Sequence, residues 1–316
     1  MNSKVPDFHA EMEKDRSQRN LRLKRREWIK YSMLGGTGLL ASAGYLAFEA
    51  QWVELTKREI MLRNMHPKAN FKILHLSDLH LSKVVSLKYL TEVLKKGIFQ
   101  SPDACVITGD FVTDQPNDRK LKEYSVLLKK FASKVPTYAC LGNHDGGKWA
   151  AEHGGFASSS KIRRLLESAN IKVLENEREE VYLNGTPIFF AGLGDFWSGN
   201  CQPGRCLEKL PFPKEKVRQP VLLLNHNPDA KDALSEYVWD LMLSGHTHGG
   251  QFLIPFKNYA PFAPVKDRSL VHGAHNWKDR VIHVSRGVGN LYGMRMNCRP
   301  EISLLKISGI TDPISV

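Results

Sequence analysis

Short apolar runs, each closing on a polar cluster, recur along most of the chain: FKILHLSD (71–78), ACVITGD (104–110), PTYACLGNHD (136–145), PIFFAGLGD (187–195), PVLLLNHN (220–227), DLMLSGHTH (240–248), VIHVSRG (281–287) and EISLLKI (301–307). Their length and their β-branched and aromatic content predict buried strands. Between several of them lie stretches with helical spacing of apolar positions, LKYLTEVLKKGIF (87–99), LKEYSVLLKKFA (121–132) and SKIRRLLESAN (160–170). Buried strands alternating with helices imply one layered α/β domain over residues 71–308. Ahead of it, within a connecting segment 49–70, WVELTKREIMLRNM (52–65) mixes Trp, Leu, Ile and Met with Lys and Arg. That mixture predicts a helix, either lying at a lipid headgroup layer or packed on the domain as a linker.

The first 48 residues have a different pattern. Residues 1–30 hold nine Lys or Arg and five acids with almost no apolar periodicity, which predicts a basic, solvated tail. Tyr31 to Phe48 then gives 18 consecutive uncharged residues, entered through Lys24-Arg25-Arg26-Glu27-Trp28-Ile29-Lys30. As a helix such a run is about 27 Å long, roughly a bilayer core, but with five Gly or Thr among its residues it is only weakly apolar. Two membrane-targeting readings stay open, an uncleaved anchor and an export signal. The second has a twin-arginine-like entry and a small-residue cleavage site at Ala41-Ser42-Ala43. The expectation adopted is an inner-membrane-associated protein, with the side of the folded domain unassigned.

Composition excludes little beyond disorder and collagen: 42% of residues are hydrophobic and 25% charged, as in ordinary globular proteins. The net charge of +12 favours anionic partners such as membranes or phosphorylated substrates. Nucleic acid is not expected, because the basic residues are scattered and their densest run belongs to the targeting segment. Five cysteines, Cys105, Cys140, Cys201, Cys206 and Cys298, are an odd number in a long chain and argue against a disulfide scaffold. The sequence assigns no oligomeric state.

Candidate chemistry lies where the strands end. Asp78 and His80, Asp110, Asn143 with His144 and Asp145, His226, and His246 with His248 all follow apolar runs. Ligands of α/β sheets bind at the carboxyl ends of strands, so these side chains are expected to converge on one crevice. Taken singly, an Asp before a loop is usually a turn or cap residue, and a buried His is more often a hydrogen-bonded core residue than a ligand. The ordered set is different. Histidine nitrogen with carboxylate and amide oxygen, and no thiolate, suits Mn, Fe or Zn in a reactive site, and there are too many donors for a single ion. A pair of ions fits if one carboxylate bridges.

At these residues the sequence resembles the calcineurin-like metallophosphoesterase superfamily, whose motifs run D-x-H, G-D, G-N-H-[DE], H and G-H-x-H. The likeness extends from Phe71 to about Ile307 and fills every motif position. It implies a four-layer α/β/β/α sandwich with a dinuclear metal site at the strand ends. Carried over, Asp78, His80 and His248 hold the first divalent ion, Asp110 bridges, and Asn143, His226 and His246 hold the second, with Mn favoured. His144 becomes the proton donor to the leaving oxygen, with Asp145 as its partner.

Further stretches, SDLHLSK (77–83), GLGDFWSGNC (192–201), LLNHNPD (223–229), WDLMLSGHTHGGQ (239–251), PFAPVKDR (261–268) and SRGVGNLYGMRMNCRPE (285–301), are similar to the YaeI-type phosphodiesterase branch. That branch includes a pyrophosphatase of UDP-2,3-diacylglucosamine in lipid A biosynthesis. A lipid-linked nucleotide is therefore the expected substrate, and a broader membrane-associated or exported phosphodiesterase is the alternative. Phe252 to Phe256 and Tyr259 to Phe262 are unusually apolar for loops beside a metal site and are read either as an acyl-chain groove or as another strand. Arg286, Arg295 and Arg299 are read as a pyrophosphate clamp or as surface ion-pair partners.

Overall fold

The computed structural model describes residues 43–208, 210, 218–254 and 259–310. The expected basic tail and most of the apolar run 31–48 lie outside them. Among the described residues no helix is long and apolar enough to cross a membrane.

All eight expected strands form. In chain order the elements are β1 (Glu54–Leu62), β2 (Asn70–Leu76), α1 (Leu87–Ile98), β3 (Ala104–Thr108), α2 (Asp118–Ala132), β4 (Thr137–Cys140), α3 (Lys148–Glu152), α4 (Ser160–Ser168), β5 (Lys172–Val173), β6 (Glu177–Leu183), β7 (Thr186–Gly192), α5 (Gly204–Leu207), β8 (Val221–Leu224), β9 (Leu241–Ser244), β10 (Gly273–Trp277), β11 (Arg280–Val284) and β12 (Glu301–Gly309). Two mixed six-stranded sheets result, ordered β1-β12-β2-β3-β4-β5 and β10-β11-β9-β8-β7-β6. In the first, β2, β3, β4 and β5 run parallel. In the second, β7, β8, β9 and β11 do.

Three apolar clusters separate the layers. Ile73, Val106, Phe190, Leu222, Leu243 and Leu305 belong to the cluster between the two sheets, since they come from strands of both. Leu90, Leu94, Tyr124, Leu128 and Leu166 pack α1, α2 and α4 on the outer face of the first sheet. The outer face of the second sheet is covered by α5 and by loops carrying Trp239, Ala260 and Leu270 rather than by long helices. Side-chain caps set the helix starts, Ser86 accepting from the Tyr89 amide and Asn117 from that of Lys120.

Residues 52–65 are not a helix. They form β1, an edge strand paired in parallel with β12 from Glu54↔Glu301 to Leu62↔Gly309. The segment repeats every two residues: Ile60 and Leu62 are buried between the sheets while Met61 between them is 63% exposed. The segment ahead of residue 71 thus belongs to the sandwich, and the helix expected at 52–65 is a strand over Glu54–Leu62 instead. The edge strands β6 and β10 and the two-residue β5 were also unanticipated.

Candidate metal centre

Parallel strands of both sheets deliver the expected ligands to one end of the sandwich. Asp78 and His80 follow β2, Asp110 follows β3, Asn143 and His144 follow β4, His226 follows β8, and His246 and His248 follow β9. The backbone turns sharply at most of these positions. Asp78, His80, Asp110, His246 and His248 all have φ between 47° and 69°, a region that non-glycine residues enter at a cost and that persists where surrounding structure enforces it. Close approach sets the glycines beside them: a Cβ on Gly142 would collide with the Asp110 carboxylate, and one on Gly245 with the Ser77 hydroxyl and the Asp78 carboxylate.

Three groups of side chains gather within ligand range: Asp78 with His80 and His248, His80 with Asp110 and His144, and Asp110 with His226 and His246. The Nε2 atoms of His80 and His248 lie 3.1 Å apart, and His248 Nε2 is 3.5 Å from Asp78 Oδ1. Asp110 Oδ2 sits 3.4 Å from His80 Nε2 and 3.2 Å from His226 Nε2, between the outer groups. His246 Nδ1 is 3.2 Å from His226 Nε2. Asn143 lines the same cavity, its Oδ1 buried without a hydrogen-bond partner.

Neighbouring oxygens choose which nitrogen faces the centre. The Thr108 carbonyl can only accept, so His226 Nδ1 at 2.6 Å carries its proton there and Nε2 points inward. The Thr113 hydroxyl contacts His80 Nδ1 at 3.0 Å, and the Thr113 carbonyl takes the His144 Nδ1 proton at 2.9 Å. Nothing in the sequence singled out Thr108 or Thr113, which hold the rings through a carbonyl and a hydroxyl rather than by special chemistry.

Charge also favours a cation here. Burial lowers His80 and His246 to about 3 and drives His248 well below the ordinary imidazole range. These rings are therefore neutral, as ligands must be. Burial opposes ionisation of Asp110, but His226, His144 and His80 outweigh it and hold the carboxyl well below the usual range. Burial and the Asp110 charge raise Asp78 to about 6. Burial alone would lower His226, yet Asp110, Asp78 and Asp195 raise it to about 10, so the carboxylates draw positive charge into the centre. Nitrogen and oxygen donors, an unpartnered amide oxygen and that demand for positive charge together fit divalent ions.

Asp145 is not the partner of the His144 ring. Its carboxylate accepts the backbone N–H groups of Asp110, Phe111 and Gly142 at 2.7 to 2.8 Å, tying the β3 and β4 loops together. Burial and Asp110 raise its pKa to about 8, against the pull of the amide bonds.

The three arginines do not form a clamp at the cavity. Arg295 is fully buried and donates to the carbonyls of His248, Cys298, Arg286, Gly287 and Gly289, fastening the 286–298 loop under a candidate ligand. Arg286 pairs with Glu54 and Glu301, and Arg299 lies 3.3 Å over the Trp52 ring. None of the three lines the cavity, because carbonyls, carboxylates and an indole elsewhere hold them.

Beside the metal-ligand candidates opens a cavity of about 650 Å³ whose walls are largely apolar and aromatic. Trp149, Trp197, Phe252, Phe262, Leu291 and Tyr292 contribute to it. The Trp197 ring stands edge-on to His246 at 4.2 Å, and Trp149 edge-on to His144 at 4.7 Å. Among the described residues Phe252 and Phe262 pack edge-on against each other, with the isolated bridges Phe252↔Met296 and Ile254↔Tyr259 around them; Phe256 of the alternative strand lies outside the described residues. The five cysteines are unpaired, Cys201 and Cys206 among them.

A two-sheet sandwich with carboxylates, histidines and an amide gathered at its strand ends defines a class of metal-dependent hydrolases, and residues 71–250 match the model of the calcineurin-like phosphoesterase family. The chain belongs to that family and is a metal-dependent phosphoester hydrolase. Among its relatives it is 37% identical to phosphodiesterase YaeI of Escherichia coli K12 over 265 residues, covering 84% of this chain and 92% of that protein. It is 29% identical to the metallophosphoesterase YkuE of Bacillus subtilis, covering 90% of this chain and 98% of the relative. It is 27% identical to the UDP-2,3-diacylglucosamine pyrophosphatase LpxG of Chlamydia muridarum, covering 74% of this chain and 83% of that enzyme.

Proposed function

We propose that the protein hydrolyses the phosphoanhydride of a nucleotide-linked lipid at the cytoplasmic membrane, with UDP-2,3-diacylglucosamine cleaved to UMP and 2,3-diacylglucosamine 1-phosphate. The observation that carries this reading is the continuity of the candidate metal centre with a cavity walled by Phe252, Phe262, Leu291 and Tyr292, a surface suited to acyl chains. The relative LpxG bears that activity in its name, and the basic-then-apolar N-terminal sequence suits a protein kept near lipids.

Asp78, His80 and His248 would hold one divalent ion, Asn143, His226 and His246 a second, with Asp110 between them; Mn²⁺ suits the mixed donors, with Fe or Zn as alternatives. Such ions, when bound, acidify water and offset charge on the phosphoryl oxygens. The chain's own groups do the rest. The Thr113 carbonyl keeps a proton on His144 Nδ1, so Nε2 is the nitrogen left to act; in the imidazolium form it gives its proton to the oxygen that departs as the P–O bond breaks and a water oxygen takes its place on phosphorus, and the ring is left neutral. Trp149 and Trp197 pack beside His144 and His246 and restrict water around the reacting phosphorus.

A second reading, a phosphodiesterase of broad specificity, is favoured by the higher identity to phosphodiesterase YaeI. Purified full-length protein supplied with Mn²⁺ and UDP-2,3-diacylglucosamine should release UMP and the lipid phosphate, detected by mass spectrometry. No release from that lipid, together with rapid cleavage of bis(p-nitrophenyl) phosphate, would reject the lipid substrate in favour of the broader activity.

A further inference from the structure

Gln251 lines the cavity three residues after His248 and is 6% exposed, with its Nε2 donor buried and without a hydrogen-bond partner. A buried donor left unpaired in this way is unfavourable and calls for an acceptor. Its backbone is fully used, the N–H donating to the His248 carbonyl and the C=O accepting from Met296 N, both at 3.0 Å. The backbone is thus fixed at both ends of the residue while the side-chain Nε2 keeps no partner. The residue also sits at φ 57°, like five of the candidate metal ligands. Among the described residues, four of the six remaining non-glycine residues with positive φ are asparagines, which tolerate that region; a glutamine has no such preference.

We propose that Gln251 is a specificity-determining residue: its Nε2 donates a hydrogen bond to an oxygen on the group esterified to the reacting phosphorus, at the point where the polar centre gives way to the wall of Phe252, Phe262 and Pro264. The substrate class is a diester or anhydride whose non-departing group carries an acceptor oxygen close to phosphorus, as a sugar, a second phosphoryl group or an acyl ester does. This inference rests on the hydrolase site described above and adds a determinant that neither the metal ligands nor His144 supply.

The test compares two chromogenic diesters with the same leaving group. The p-nitrophenyl ester of thymidine 5′-monophosphate presents sugar oxygens near phosphorus, whereas bis(p-nitrophenyl) phosphate presents there an aryl ring whose nitro oxygens lie at the far, para end. In the full-length, Mn²⁺-loaded protein, Gln251→Met keeps an unbranched side chain and removes the donor. The ratio of kcat/KM for the thymidine ester over the bis-aryl ester should fall about tenfold, mostly through KM. Gln251→Glu, which keeps the shape and reverses the polarity, should lower the same ratio and covers the case in which the Met variant does not fold. An equal loss on both substrates, or an unchanged ratio, overturns the proposal. Wild-type cleavage of both esters without cleavage of UDP-2,3-diacylglucosamine would instead sink the lipid-nucleotide reading and leave the Gln251 ratio to be judged alone.

Discussion

At the scale of single residues, the centre depends on oxygens that decide what each imidazole can do. His144 lies within ligand range of His80 and Asp110, yet its Nδ1 is committed to the Thr113 carbonyl. If its work is proton transfer, His144→Ala should lower kcat by about 10²–10⁴ while the protein keeps its full complement of bound metal. Turnover of a phosphodiester beside elemental analysis of the same preparation checks this, and loss of metal in the variant would make His144 a ligand instead. Metal-ligand candidates were legible in the sequence because Asp, His and Asn at strand ends have few other reasons to recur in that order. Asp145 and the three arginines were not: the Asp145 carboxylate and the Arg295 guanidinium are claimed by nearby backbone amides and carbonyls, Arg286 by Glu54 and Glu301, and Arg299 by the Trp52 ring. Gln251 carried no signal either, because its importance lies in an unpaired donor that only packing reveals.

At the scale of elements, the strongly apolar strands were legible and the edges were not. Each strand at the centre of a sheet is buried on both faces and so reads as a continuous apolar run, whereas β1 and β6 bury alternate positions and carry Lys, Arg and Glu on the rest. In β1 this mixture of charge and large apolar groups imitates an interfacial helix. Burial distinguishes the two. Ile60 is 3% exposed and belongs to the cluster between the sheets. Ile60→Ala should therefore cost about 2–5 kcal/mol in a urea unfolding experiment, by lost transfer energy and the cavity left behind. A change within about 0.5 kcal/mol would be the mark of a surface position and would return residues 52–65 to a peripheral segment.

At the scale of the whole molecule, the two sheets are joined by a polar contact in an otherwise apolar interior. His75 on β2 and His283 on β11 meet through their Nδ1 atoms at 2.9 Å, both fully buried, and His75 Nε2 reaches the Thr108 hydroxyl at 2.9 Å. The backbone carbonyl of the same Thr108 holds His226, so the contact runs from the space between the sheets to the metal centre. Burial lowers His283 to about 4; Glu301 opposes this, while Arg58 and His275 reinforce it. Burial and then His283 push His75 well below its ordinary value, with Glu301 again opposing. Both rings are neutral in the folded state and, once unfolded, bind a proton near pH 6.5. Between pH 6.5 and about 4 the unfolded chain holds more protons, so stability falls as pH falls through that window. Each ring contributes a slope of up to about 1.4 kcal/mol per pH unit. Replacing both by leucine should remove that contribution: the loss of stability between pH 7 and 5, from urea titrations of wild type and His75→Leu/His283→Leu, should be smaller in the variant by about 2 kcal/mol or more. Parallel losses in the two proteins would mean that the pair protonates in place, and that the join between the sheets tolerates a charge.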